Sequence, residues 1–573
     1  MTLNLLPRPH VVEEGGGTVA GTEPVVRAGA SLPAQGYELS IAADGVKIDA
    51  ADDAGAFYAR ATLDQLRRLH AGSLPVCRIR DWPDVAVRGV MLDIARDKVP
   101  TMATLEALID RLASWKLNQV QLYMEHTFAY QAHREVWAEA SPFTADEVRH
   151  LDAFCRERHV ELVPNQNCLG HMERWLKHPR YRPLAMSPDG FVNQRGMLRP
   201  PTTIEPSNPA SLALVRELLS ELLRNFGSRR VHVGLDEPWE LPDQRFGEYL
   251  GWVRTLRGLD ELDGHEMLVW GDILAMHPEL LGELPDRVTV CEWGYEDWHP
   301  FDQRTAALAA AGRPFWVAPG TSSWLTILGR VTNMVGNNVV AVEAALANGG
   351  AGFLTTDWGD MGHLQYLPVS EPGFAFGAAA SWCLEANRAL DLAAALDAHS
   401  FADDAGELGA ALVELGNSYR GITPQFPNVS ALVMHLYFPQ FRVGTGFTEG
   451  LTVDELLGVE EVLARATSRL DRAKPGRADG GLVLDELRNG AALVALMCQD
   501  ARARLATEDG RLRSVPDADR RRLAIELAPI VDRHRDLWLA RNRPGGLDDS
   551  LAWLENLRTC YETGVTDREW GGW

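Results

Sequence analysis

Asp236 and Glu237 stand side by side behind the apolar run VHVGL, and a proline follows them. Two carboxyl groups held together in a partly desolvated place repel, so one keeps its proton to higher pH and can act as an acid near neutrality. The same Asp-Glu-Pro order is also ordinary first-turn chemistry for a helix. A second signal comes from the indoles: Trp270, Trp293 and Trp358 each end an apolar run and precede a glycine. Sugar rings present flat C–H faces, and indoles set at angles wall a pocket that accepts one such ring. Trp316, inside its run, reads as core filler instead. A carboxylate pair facing an aromatic wall points to cleavage of a glycosidic bond.

Such groups need a framework to converge. Residues 87–95, 118–125, 160–167, 230–237, 266–272, 288–294, 314–320 and 351–359 form eight β-rich apolar runs. Amphipathic helical patterns lie between most of them, as at 104–116, 144–159, 208–226 and 337–349. Eight strands buried on both faces and alternating with helices predict an α/β chain built on a (β/α)8 TIM barrel, over 83–386. An open doubly wound sheet would want a Gly-rich turn after its first strand, where this chain has DIARDKVP. Residues 1–82 read as a small N-terminal α+β domain, with strands VVRAG, YELSIA and GVKIDA before one helix. Residues 387–573 read as a helical C-terminal domain rich in Ala, Leu, Arg and Glu, its tail YETGVTDREWGGW left open as ordered or loose.

Barrel enzymes gather their chemistry at the C-terminal ends of the strands. Reading those ends in order gives Arg96 and Asp97, then Glu125 and His126, then Asn165, Asn167 and His171. Asp236 and Glu237 follow, then Trp270 with Asp272, Trp293, Trp324, and last Asp357, Trp358 and Asp360.

Composition narrows the partners. Acidic residues number 79 against 56 basic, a formal charge of −23, so no basic excess exists to bind nucleic acid. Seven cysteines show no paired short spacing, which disfavours a disulfide framework or structural zinc and fits a reducing compartment. No leader pattern opens the sequence and no run reaches membrane-spanning length, so a cytoplasmic protein without membrane partners is expected. No cofactor and no metal is expected, and the partner is a small glycoside or oligosaccharide substrate. A homodimer stays open.

These residues resemble the family 20 glycoside hydrolases, the β-N-acetylhexosaminidases, over roughly residues 50–385. The leading helix pattern G-x-F-Y-x-x-x-T-L-x-Q-L is met by Gly55, Phe57, Tyr58, Thr62, Leu63, Gln65 and Leu66. R-G-x-x-x-D-x-x-R is met by Arg88, Gly89, Asp93 and Arg96, and H-x-G-x-D-E by His232, Gly234, Asp236 and Glu237. The resemblance implies Glu237 as general acid/base and Asp236 as the anion that orients a 2-acetamido group. That group's carbonyl oxygen attacks C1 and gives an oxazolinium intermediate with overall retention. It further implies Arg96 on outer hydroxyls of the terminal sugar, His171 as the histidine of P-E-x-x-x-P-G-H, and Trp270, Trp293 and Trp358 lining its pocket.

The chain also departs from the family. Where His-x-x-Asp-Asp is usual after strand two, it has Tyr123, Met124, Glu125, His126 and Thr127, which leaves the support of the acid pair open. Where strand seven leads to Tyr-x-Asp, it has Trp324 and Thr326. Trp-x-Glu after strand eight becomes Trp358, Gly359, Asp360, and Asn165 and Asn167 stand where acids are usual. Three rival readings follow. A metal-dependent hydrolase would use His126, His171, His232, Asp272 and Asp360, but lacks the His-x-His pair of barrel amidohydrolases on strand one. A non-catalytic carbohydrate-binding barrel would be expected to lose one of the two acids. A hydrolase of a non-acetamido glycoside would use Asp360 or Glu125 as a carboxylate nucleophile.

Overall fold

The structure, a computed structural model, describes residues 3–193, 196, 198–242 and 245–566. The final seven residues of the tail lie outside the described residues.

The leading unit is a five-stranded sheet covered by one helix. Its strands run Val11–Ala20, Ser73–Asp81, Tyr37–Ala42, Gly45–Ala50 and Val25–Ala28 across the sheet. Tyr37, Leu39 and Ile41 alternate inward, as do Val46, Ile48 and Ala50, and they meet Tyr58, Leu63 and Leu66 of the helix Asp53–Leu69. Gly55 is required there, because a Cβ would sit 2.2 Å from the Gly36 carbonyl oxygen. Two of the five strands were not expected from the sequence. Val11–Ala20 is an almost wholly exposed edge strand, so it carries no inside/outside alternation to read. Ser73–Asp81 is interrupted by Pro75.

All eight expected barrel strands are present and parallel: Val87–Asp93, Gln119–Tyr123, Glu161–Val163, Arg230–His232, Glu266–Trp270, Val288–Trp293, Phe315–Ala318 and Gly352–Asp357. The eighth pairs with the first along its whole length. Closure falls between the third and fourth, where His232 N donates to Pro164 O and Gln166 N to His232 O. The chain is thus a (β/α)8 barrel, and its lumen is filled by side chains including Met91, Tyr123, Leu268, Trp270, Trp316 and Leu354. Trp316 is core, as its position inside the strand predicts; a Cβ on Gly352 would meet its ring at 2.5 Å.

The expected barrel helices form, among them Met102–Ser114, Ala145–Arg156, Pro209–Leu223 and Val331–Asn348. Thr144 and Glu147 close a capping box at the second, and Asn208 with Pro209 opens the third. Beyond the barrel, the long helices Val453–Arg472, Gly480–Leu505, Asp517–Arg541 and Leu547–Thr563 pack on it. Their apolar faces share one continuous core with the barrel's outer helices, whereas the leading sheet keeps its own. No helix among the described residues is long and apolar enough to cross a membrane. All seven cysteines are buried.

Candidate active site

The acid pair is not on a strand. The fourth strand stops at His232, because Gly234, Leu235 and Glu237 adopt φ of 70°, 73° and 46°. This left-handed turn presents both carboxyl groups to the barrel mouth. Only glycine fits at 234, where a Cβ would lie 1.8 Å from Asn167 Oδ1. That oxygen instead accepts Leu235 N at 3.2 Å, tying the third strand's end to the turn. Glu237 N donates to Asp272 Oδ2 at 3.0 Å, so the fifth strand's end holds the turn from the other side.

His171 stands between the two acids. Its Nε2 lies 3.3 Å from Asp236 Oδ2 and 3.4 Å from Glu237 Oε2, ion-pair distances without hydrogen-bond alignment. Burial works against a charged ring, but Asp236 and then Glu237 outweigh it and hold His171 protonated well above the ordinary range. Burial alone would raise Asp236; His171 and Arg96 reverse this and keep its carboxyl low. The imidazolium thus stands as a counter-charge between the adjacent acids. Beside them, burial and the charge of Asp236 push the Asp272 carboxyl up to about 7. Its Oδ1 is buried without a hydrogen-bond partner among the described residues.

Arg96 is the second cation of the site. Asp93 accepts from Arg96 N (3.1 Å) and Arg96 Nη1 (3.3 Å) while also accepting Gly359 N (2.9 Å), joining the ends of strands one and eight. The guanidinium lies over the rings of Tyr123 (4.7 Å) and Trp358 (5.3 Å), with Glu125 Oε1 at 3.6 Å. Glu125 accepts the Tyr123 hydroxyl at 3.0 Å and stays on the Arg96 side of His171. The side chain that reaches Asp236 is Asn167, whose Nδ2 is 3.4 Å from Asp236 Oδ1 and donates to the Tyr123 hydroxyl at 2.8 Å. Asn167 and Tyr123 thus occupy the supporting place that the sequence left open. His126 is buried away from the pair, and burial together with Arg174 and Lys177 holds it neutral.

The indoles differ from one another. Trp358 Nε1 donates to the Tyr295 hydroxyl at 2.8 Å, and its ring meets Tyr123 edge-on. Trp293, half-buried, stacks on Tyr295 at 5.2 Å, and Trp324 meets the same phenol perpendicularly at 4.9 Å. Trp270 and Trp324 are the most deeply set, at 1% and 2% exposure, and Trp270 lies between His232 and Trp358. Tyr295 is therefore the hub of the aromatic wall, and sequence reading missed it. The available signal was its spacing, two residues beyond Trp293 and so on the same side of an extended chain.

Asp360 follows the eighth strand in a run of four left-handed residues, Asp360, Met361, Gly362 and His363. Burial raises its carboxyl to about 6 against the pull of Arg96. His232 lies in the lumen, accepting Gly234 N, and burial drops it to about 3. Among the described residues, His126, His171, His232, Asp272 and Asp360 do not come together at metal-ligand spacing.

A closed (β/α)8 barrel whose mouth combines fixed carboxylates, one arginine and a wall of rings has the form of a sugar-processing site. The sequence pattern of the glycosyl hydrolase family 20 catalytic domain matches residues 86–333, and that of the family's domain 2 matches residues 2–82. The chain belongs to glycosyl hydrolase family 20. The catalytic-domain match stops before the eighth strand and Asp360.

A β-hexosaminidase of Akkermansia muciniphila is 26% identical over 234 residues, 37% of this chain and 47% of that protein. A β-N-acetylhexosaminidase of Cellulomonas fimi is 26% identical over 341 residues, 56% and 66% of the two chains. The matches thus span about half to two thirds of these curated relatives. The solved β-N-acetylhexosaminidase of Streptomyces coelicolor shares the fold, with a TM-score of 0.55 at 19% identity, over 69% of this chain and 95% of that one.

Proposed function

We propose that this chain is an exo-acting, retaining β-N-acetylhexosaminidase that uses the substrate's own acetamide as nucleophile. The observation that carries this reading is the fixation of Asp236 by His171 and Asn167 beside Glu237. An anion pinned in this way suits an amide N–H that gains positive charge better than it suits a nucleophile that must travel to C1.

In this reading Glu237 gives its proton to the glycosidic oxygen as the C1–O bond breaks. The acetamide oxygen closes on C1 from the opposite face, and Asp236 accepts the N–H of the resulting oxazolinium. Glu237, now a carboxylate, takes a proton from the water that attacks C1 and reopens the ring. Arg96 and Asp360 bind outer hydroxyls, as fork donor and acceptor. Trp293, Trp324 and Trp358 wall the ring, while Trp270 supports them from the floor. Glu125 holds Arg96, and His126 packs behind this group. The Tyr295 hydroxyl accepts from Trp358 and neighbours the Thr356 hydroxyl. Turned to the substrate, its O–H would orient the acetamide oxygen in place of the family's strand-seven tyrosine.

A panel of aryl β-glycosides tests the reading. GlcNAc or GalNAc substrates should turn over and a thiazoline analogue should inhibit. Turnover of the plain glucoside or galactoside at a similar rate would overturn it.

A further inference from the structure

Three chain segments meet where the leading sheet joins the barrel, far apart in sequence and each bringing one metal-ligating group. His10 precedes the first strand, Asp84 lies in the link to the first barrel strand, and Cys383 follows the helix Leu367–Trp382. One donor atom of each lies within 4.8 Å of the other two. His10 Nε2 and Asp84 Oδ1 are 3.1 Å apart.

The ligand set is oriented from behind. His10 Nδ1 is 3.2 Å from Asp81 Oδ1, and Trp82 stacks on the imidazole at 4.3 Å. Asp81 is fully buried and fixed by Lys116 Nζ (2.9 Å), the Tyr37 hydroxyl (2.8 Å) and Trp382 Nε1 (2.8 Å). Asp84 Oδ2 accepts Leu384 N at 2.8 Å, which turns Oδ1 towards His10. A carboxylate on the far nitrogen of a histidine is the usual outer-shell partner of a metal-bound imidazole.

We propose that His10 Nε2, Asp84 Oδ1 and Cys383 Sγ form a binding site for one borderline-soft divalent cation, of which zinc is the type, at this joint. Tetrahedral zinc with bonds of about 2.0 Å to nitrogen and oxygen and about 2.3 Å to sulfur sets its donors roughly 3.3–3.6 Å apart. Small rotations of three side chains bring the present spacing to that value. His10 and Asp84 keep 17% and 21% of their side-chain surface open, leaving room for a water in the fourth position. A bound cation would be held by the neutral imidazole and the thiolate. It would tie the leading sheet to both ends of the barrel and take no part in glycoside chemistry.

Cobalt(II) added to the chelator-treated full chain is the probe. One equivalent should produce a thiolate-to-cobalt charge-transfer band, and the apparent Tm should rise with the logarithm of free cobalt. Cys383→Ser should remove the band, Asp84→Asn should weaken binding at least tenfold, and both variants should keep wild-type turnover. Absence of the band in the wild-type chain, or its survival in Cys383→Ser, would overturn the proposal and leave a hydrogen-bonded clasp only.

Discussion

The imidazole of His171 is equidistant, within 0.1 Å, from two carboxylates adjacent in sequence, 3.3 Å from Asp236 and 3.4 Å from Glu237. Its charge keeps the Asp236 carboxyl low. Asp236 therefore contributes stability above its unfolded pKa, and loses it as pH falls through the depressed folded value.

His171→Ala should shrink that depression. The acid limb of the kcat profile should move to higher pH, and stability should fall by about 3 kcal/mol, since one partner of a buried charge cluster is removed. A pH–rate profile with a thermal melt checks both. An unmoved acid limb would separate His171 from the acids.

Glu237→Gln should lower kcat about 10²–10⁴-fold on oligosaccharide substrates, the usual contribution of a general acid. The loss should be far smaller on a dinitrophenyl glycoside, whose leaving group needs no proton. Asp236→Asn should cost about 10²–10³-fold on acetamido substrates with either leaving group. Steady-state kinetics on the two substrates distinguish these patterns.

Tyr295→Phe should lower kcat/KM about tenfold on an aryl N-acetylhexosaminide, the worth of one hydrogen bond. Trp324→Phe, which alters the position the family gives to tyrosine, should cost less when assayed well below its melting temperature. The reverse order would return the role to Trp324.

The limits of sequence reading follow from the range of the interactions involved. Eight strands were legible because burial on both faces makes each predominantly apolar, even where polar residues such as Gln119 and Gln121 are buried within one, and Trp316 sits as filler inside its run for the same reason. The runs overstated the strands where left-handed residues end them early, as at Gly234 and Leu235. Asp236 and Glu237 were legible as a local pair. Asn167 as their support and Tyr295 as the hub of the rings were not, because each depends on turns from different strands closing on one another. The depth of Trp270 was not legible, because its glycine neighbour marks the end of the strand and not the height of the side chain in the lumen.

Asp272 offers a test in stability alone. Its folded pKa, raised to about 7 by burial and Asp236, exceeds an unfolded value of about 3.9. Between those values the native state holds the extra proton, so this group's contribution to stability falls as pH rises and levels off above 7. Asp272→Asn removes the titration and keeps an acceptor for Glu237 N. The variant's Tm relative to wild type should therefore improve from pH 4 to pH 8; a constant difference would contradict the assignment.

The C-terminal helices reach the proposed sugar site through the loop after strand eight. A Cβ on Gly362 would stand 2.4 Å from Trp553 Cδ1, so the helix Leu547–Thr563 bears directly on the left-handed run that begins with Asp360. Tyr366, at the loop's far end, accepts Asn489 Nδ2 at 2.8 Å and pairs with His534 at 2.9 Å, from two further helices. Trp553→Ala should loosen this clamp and displace the Asp360 carboxylate. Because Asp360 is assigned to hydroxyl binding in both ground and transition states, the expected signature is a higher KM with kcat little changed. General destabilisation predicts a lower active fraction instead, which reduces kcat at constant KM. A double-mutant cycle decides between them: once Asp360→Asn has removed the carboxylate, Trp553→Ala should add little further to KM, whereas additive effects would mean that the helix holds the fold without placing Asp360.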